Sequence, residues 1–229
     1  MPHTNHITTP ELILDSAAQL FSTNGFHLTT TRAIAAKAGV NIALLHYYFN
    51  SKNGTLVALL ERLGRITSDR IRELLRPGGD PWIKVQQYVQ AFFQVMLLEH
   101  REFLVIVSRQ CAVAEPSAIS QVAALTLSPH LDLLHQIVQE GAEAGAFARG
   151  HATEAFSIIL GIAIVQGACA PSLQKIGTKQ LGIEDLSRLC ISALAPVLKV
   201  NAASADRVRT APPPQEFHTM QNTDLDFVD

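Results

Sequence analysis

Three observations predict an all-α fold, with an N-terminal helix-turn-helix three-helix domain followed by a larger C-terminal helical domain. Apolar residues recur three and four positions apart through most of the 229 residues, with no sustained period-2 alternation. Capping residues and glycines interrupt the first quarter at short intervals, whereas the segments after "RPGGDP" are longer. A composition of 48% hydrophobic and 17% charged residues supports a sizeable core and excludes a wholly disordered chain.

The first helix begins near Pro10, presents Leu12, Ile13, Ala17, Leu20 and Phe21, and stops at Gly25, which can supply a left-handed C-cap. The second runs from about Thr30 to Lys37, capped by Thr29 or Thr30, with Ile34 and Ala35 facing inward. Gly39 ends it, and Asn41 caps a third helix that reaches about Tyr48. A fourth starts after Ser51 and runs amphipathically to about Leu75. The second and third helices, joined by "AGVN", form the compact unit, with Ile34, Ala35, Val40 and Leu45 closing a small core beneath them. Longer helices are expected over 81–99, 102–114, 117–128, 129–145, 152–172 and 183–199. The boundaries that follow are a DNA-binding domain over 1–52 and a regulatory and dimerisation domain over 53–200, connected by the helix over 51–75. Residues 201–229, with three consecutive prolines and no periodicity, read as a disordered tail.

Charge distribution narrows the function. Residues 28–76 carry eight Lys or Arg against three acids, a local +5 in a chain whose total is -2, as expected of a polyanion-binding module on a neutral scaffold. Cys111, Cys169 and Cys190 match no CxxC pattern, and the N-terminus lacks a basic segment followed by an apolar one. The longest apolar run, "FSIILGIAIVQGACA", is too short and too broken to span a bilayer, so a cytoplasmic protein without membrane contact is expected. No HExxH, GxSxG or phosphate-loop pattern occurs. His130 and His135 lie five apart, off a shared helix face, so neither an enzyme, a metal site nor a cofactor is expected.

The stretch "ILDSAAQLFSTNGFHLTTTRAIAAKAGVNIALLHYYFNSKNGTL" resembles the TetR family of bacterial transcriptional regulators. Ala17, Ala18, Leu20, Phe21, Gly25, Phe26, Thr29, Ile34, Ala35, Ala38, Gly39, Val40, Leu45, Phe49, Ser51 and Lys52 occupy matching positions in order. The departures are Ala43, where the family most often has Gly, and His46 and Tyr48, where it usually has Tyr and His. Base preference therefore does not carry over from better-known members.

In a helix-turn-helix the second of the two helices lies in the DNA major groove. Leu45 and Phe49, i and i+4, share the face that packs on the first helix, which turns Ile42, Ala43, Leu44, His46 and Tyr47 outward. The Tyr47 hydroxyl and the His46 ring are suited to phosphate oxygens, and their faces to a thymine methyl. Tyr48 suits either DNA contact or partial burial. Thr30, Thr31, Arg32 and Asn41 border the same surface, and Lys52 at the start of the fourth helix is placed for a further phosphate.

One such unit reads too few base pairs to be specific in a genome, so a homodimer on a palindromic operator is expected. The interface expected is the last two helices, through Ile158, Gly161, Ile162, Val165, Leu189, Ile191 and Leu194, with small residues allowing close approach. Phe92, Phe93, Met96, Phe103 and Val107, with Arg109, Gln110 and His135 as polar anchors, are the candidate lining of an effector pocket; aromatic stripes at this spacing equally suit plain core. Arg109, a charge within an apolar helix, needs Glu102, Glu115 or an anionic ligand. Two functions fit: a ligand-responsive repressor released from double-stranded operator DNA by a small apolar or amphipathic effector, or a constitutive or architectural DNA-binding protein that senses nothing.

Overall fold

The computed structural model describes residues 8–113, 124–177 and 181–201, and every regular element among them is helical. The order is α1 (Thr9–Asn24), α2 (Thr31–Ala38), α3 (Ile42–Phe49), α4 (Lys52–Leu74) and α5 (Pro81–Gln94), then a π-helical segment (Val95–Glu99), α6 (Arg101–Val113), α7 (Ser128–Glu143), α8 (Ala152–Gly167), α9 (Ala170–Lys175) and α10 (Ile183–Val197). The helix expected over 117–128 and the tail over 201–229 fall largely outside the described residues.

Local chemistry sets the early boundaries. The Glu11 carboxylate accepts both the Thr8 backbone N–H, at 2.7 Å, and the Thr8 hydroxyl, at 2.8 Å, which closes the start of α1 one residue earlier than the sequence suggested. Thr30 Oγ1 accepts from Ala33 N–H, Asn41 Oδ1 from Ala43 N–H and Ser51 Oγ from Gly54 N–H. Gly39 sits at φ +67°, the left-handed conformation that ends α2 and turns the chain into α3.

Two later boundaries differ from expectation. The helix expected over 81–99 changes to π geometry at Val95, and the one expected over 152–172 divides at Ala168–Cys169. In the second case Pro171 lies in the first turn of α9, the position where a missing N–H costs least and where a separate helix starts readily.

One contiguous core joins the small N-terminal unit to the rest. Ile13, Ala17 and Phe21 of α1, Ile34 of α2 and Leu45 of α3 meet Leu56, Leu59, Leu60 and Leu63 of α4, which continue into Tyr88, Phe92, Phe93, Met96 and Phe103. α1 packs on α2, α4 and α6, so its C-terminal end touches the larger domain directly. α10 packs on α5 and α8, and α7 bridges α4, α5 and α8.

A polar seam crosses this core. His130, fully buried in the first turn of α7, places Nε2 3.0 Å from Thr67 Oγ1 on α4, and its carbonyl accepts from the Tyr88 hydroxyl of α5 at 3.0 Å. Burial pushes the imidazole down to about 3, so the ring is neutral.

Candidate nucleic-acid interface

Leu45 is fully buried and Phe49 half-buried, which fixes the rotation of α3 about its axis and sends its remaining side chains outward. Tyr47 is 80% exposed, Tyr48 43%, Leu44 39% and Ile42 38%, with Ala43 and His46 exposed beside them. An apolar helix face left open to water on a domain this small is a surface for contact. The Tyr47 and Tyr48 rings meet edge to face at 5.0 Å, and Tyr48 leans toward Phe49 at 6.2 Å, so Tyr48 is both partly packed and partly open.

His46 is more constrained than its position suggests. Its Nδ1 lies 2.9 Å from the Asn50 carbonyl, an acceptor only, so the ring carries its proton on Nδ1 and caps the end of α3. A neutral His46 therefore offers Nε2 as an acceptor, and donation to a phosphate oxygen from Nε2 requires the imidazolium. Thr30 and Asn41 spend their side-chain oxygens as acceptors at the two N-caps; the Thr30 hydroxyl hydrogen and the Asn41 amide hydrogens remain suited to an outside acceptor. Thr31 is half-buried, and Arg32 is exposed at the start of α2.

Lys52 has a different setting from the one expected. Its Nζ donates to the carbonyls of Phe26 and Thr29 at 2.9 Å each and of His27 at 3.4 Å, and lies 4.3 Å from the centre of the Phe26 ring. The ammonium ties the start of α4 to the α1–α2 turn, and its charge is already shared among three carbonyl dipoles. The basic window is also partly neutralised: Arg62 pairs with Asp15 at 2.7 Å, Arg70 with Glu99 and Glu73, and Arg72 with Asp69. Net charge along the sequence overstated the positive field, because Arg62 and Arg70 on α4 are turned to acids that lie outside that window, Asp15 and Glu99.

The candidate effector residues separate. Phe92, Phe93, Met96, Phe103 and Val107 are buried core, with Phe92 packed against Tyr88, Phe93, Phe156 and His130. Arg109 has backbone partners that the sequence did not suggest: Nη1 donates to the Ser22 carbonyl at 2.8 Å, with Phe21 and Thr23 carbonyls at 3.4 and 3.5 Å. These partners lie at the C-terminal end of α1, where carbonyls concentrate negative partial charge; Glu115, one of the expected partners, lies outside the described residues. Gln110 is buried and lines, with Arg109 and Asn24 to Leu28, an open hollow of about 300 Å³ between the two domains. His135 is exposed, 3.4 Å from Thr153 Oγ1, in a separate surface hollow of about 360 Å³ with Val138 and Arg149. The eight residues therefore do not line one cavity.

Of the expected dimer residues, Val165 is 45% exposed and Leu189 53%, Ile158, Ile162 and Ile191 are half-buried, and a Cβ on Gly161 would meet nothing within 4 Å. Leu194 is the correction: it is fully buried within the chain's own core and offers nothing to a second copy. Among the described residues no cluster of three potential metal ligands occurs, and no helix is long and apolar enough to cross a membrane.

A short capped helix, a left-handed glycine turn and a second helix with an open face define a helix-turn-helix, the unit that sets its second helix in a DNA major groove. Residues 13–59 match the model of the bacterial regulatory proteins of the tetR family. A probable HTH-type transcriptional regulator from Bacillus subtilis, YttP, is 26% identical over 137 residues, 59% of this chain and 65% of that protein's length. Among solved structures, a fatty acid degradation regulator, FadR, from Bacillus halodurans superposes with a TM-score of 0.68 at 22% identity, over 81% of this chain and 96% of that one. FadR from Bacillus subtilis, solved in complex with stearoyl-CoA, gives 0.65 at 19% identity over 82% and 96%. Residues 13–59 thus carry the helix-turn-helix region of the bacterial regulatory proteins of the tetR family, and the chain is similar to HTH-type transcriptional regulators over 59% of its length.

Proposed function

We propose that the protein is a ligand-responsive repressor that binds a palindromic operator as a homodimer and leaves it when an amphipathic effector with a long apolar chain binds the larger domain. The open face of α3, with Tyr47 projecting furthest, carries the reading: Ile42, Ala43, His46 and Tyr47 enter the groove, and Thr30, Thr31, Arg32 and Asn41 flank it. Lys52 acts on DNA indirectly, by holding the turn that carries α2. The stripe of Val165 and Leu189, with open space at Gly161, supports pairing of α8 and α10 with their copies across a twofold axis. The chemistry of the effector is proposed from the solved neighbour that holds stearoyl-CoA, together with the aromatic and aliphatic interior between α4 and α8.

The test is an operator mobility-shift assay with the double variant His46→Ala, Tyr47→Ala. It should lose operator binding while its dimer mass in light scattering stays unchanged, and unchanged binding removes the proposed groove face. A constitutive DNA-binding protein is the second reading, favoured by the close packing of Phe92, Phe93 and Phe103. It predicts that stearoyl-CoA leaves the protein–operator complex intact.

A further inference from the structure

The His130 ring poses a hydrogen-bonding question that fixes its tautomer. Thr67 Oγ1 lies 2.7 Å from the Leu63 carbonyl and 3.3 Å from that of Gly64, so the single hydroxyl hydrogen goes to a carbonyl. Thr67 must then accept from His130, and the imidazole proton resides on Nε2. Nδ1 is consequently a bare acceptor, and among the described residues no donor reaches it. The buried Tyr88 hydroxyl is committed to the His130 carbonyl. Phe92 and Phe103 pack against the ring at 5.7 and 6.3 Å, so the lone pair sits in an apolar shell. A buried acceptor without a donor is costly, and a donor supplied from outside the chain would remove that cost.

We infer that His130 Nδ1 is the polar anchor of the effector site and selects an uncharged aliphatic chain that carries a hydroxyl group. This inference rests on the proposed effector reading and sharpens it. A hydroxyl satisfies the lone pair, whereas an ionised carboxylate, an ester or a thioester brings only further acceptors. Charge is excluded by the same surroundings, which hold the ring itself neutral. The π segment Val95–Glu99 contributes Val95 and Met96 to this core and must repack to admit the chain; π turns recur at functional sites.

Calorimetric titration of the full chain with 1-dodecanol, dodecyl methyl ether and stearoyl-CoA tests it. The alcohol should bind roughly tenfold or more tightly than the ether, the difference expected for satisfying one buried acceptor. In His130→Phe the two should bind within about twofold of each other. Should that variant fail to fold, Thr67→Val gives the second readout. With the acceptor for Nε2–H gone, the ring can carry its proton on Nδ1, and the preference for the alcohol over the ether should collapse. Equal binding of alcohol and ether to the native protein overturns the inference and leaves Nδ1 to a buried water. Binding of stearoyl-CoA alone also overturns it, while the effector reading survives. Binding of none of the three removes both.

Discussion

Replacing Lys52 with methionine keeps the aliphatic stem and removes only the ammonium, so it isolates the tie between α4 and the α1–α2 turn. Two charge-assisted hydrogen bonds at 2.9 Å are lost, to Phe26 and Thr29, together with the weaker one to His27 and the contact over the Phe26 ring. At about 1.5 kcal/mol for each close bond and about 0.5 kcal/mol for the ring contact at this half-buried site, the loss is roughly 3.5 kcal/mol. For a chain of this size, about 2–4 °C per kcal/mol converts that to a fall in Tm of roughly 7–14 °C. Thermal unfolding followed by circular dichroism measures it. A lysine that served only a DNA phosphate would behave in the opposite way: Tm would hold, and the slope of log K against log salt for operator binding would flatten by about 0.9. An unchanged Tm with a flattened slope refutes the structural assignment of Lys52.

Arg109→Ala should cost about 1–3 kcal/mol by exposing the α1 C-terminal carbonyls, read as a lower denaturation midpoint, while Arg109→Lys should recover part of it. His130 is held at about 3, below its ordinary 6.5, so between these values the unfolded chain binds a proton that the folded chain refuses; stability should fall as pH drops from 6.5 toward 3, by up to about 1.4 kcal/mol per pH unit from this group, and urea titrations of His130→Phe should show a shallower dependence. Cys190 is buried with its thiol pushed up to about 12, whereas Cys169 is exposed, so iodoacetamide at pH 8 should modify Cys169 before Cys190 in native protein, as mass spectrometry of peptides will show. Val165→Asp with Leu189→Asp should yield monomers in light scattering without unfolding, while Leu194→Ala should cost about 2–5 kcal/mol and leave the oligomer unchanged.

The helix-turn-helix was legible because its information is local. Caps at Thr30, Asn41 and Ser51 and the left-handed turn at Gly39 depend on residues at most four apart, and the open side of α3 follows from the i, i+4 placement of Leu45 and Phe49. Long-range polar contacts were not legible. Lys52 reads as a surface cation until the carbonyls of residues 26, 27 and 29 are brought beside it, and Arg109 reads as a charge awaiting a carboxylate until the end of α1 supplies backbone oxygens. Backbone partners leave no trace in side-chain composition, so a search for complementary charges could not find them. The same blindness inflated the basic window, because the acids that pair with Arg62 and Arg70 lie far away in sequence, at Asp15 and Glu99. Leu194 and Val165 look alike as letters on apolar helices, and only the packing of α10 on α5 decides which is core.

The two cations converge on a single nine-residue stretch. Arg109 of α6 holds the carbonyls of Phe21, Ser22 and Thr23, and Lys52 of α4 holds those of Phe26, His27 and Thr29, so the turn that leads into α2 is gripped from both helices that reach the larger domain. Hydrogen bonds to carbonyls are directional and fade within a few tenths of an ångström of their optimum, unlike the apolar contacts beneath, which tolerate sliding. Under the proposed function, a small displacement of α6 or α4 on effector binding therefore reaches Thr29 and the Thr30 cap of α2 through rigid attachments. The orientation of α3 follows, because Gly39 leaves only a short turn between α2 and α3. Repacking at His130 acts on the same path, since Thr67 lies on α4, fifteen residues and about four helical turns from Lys52.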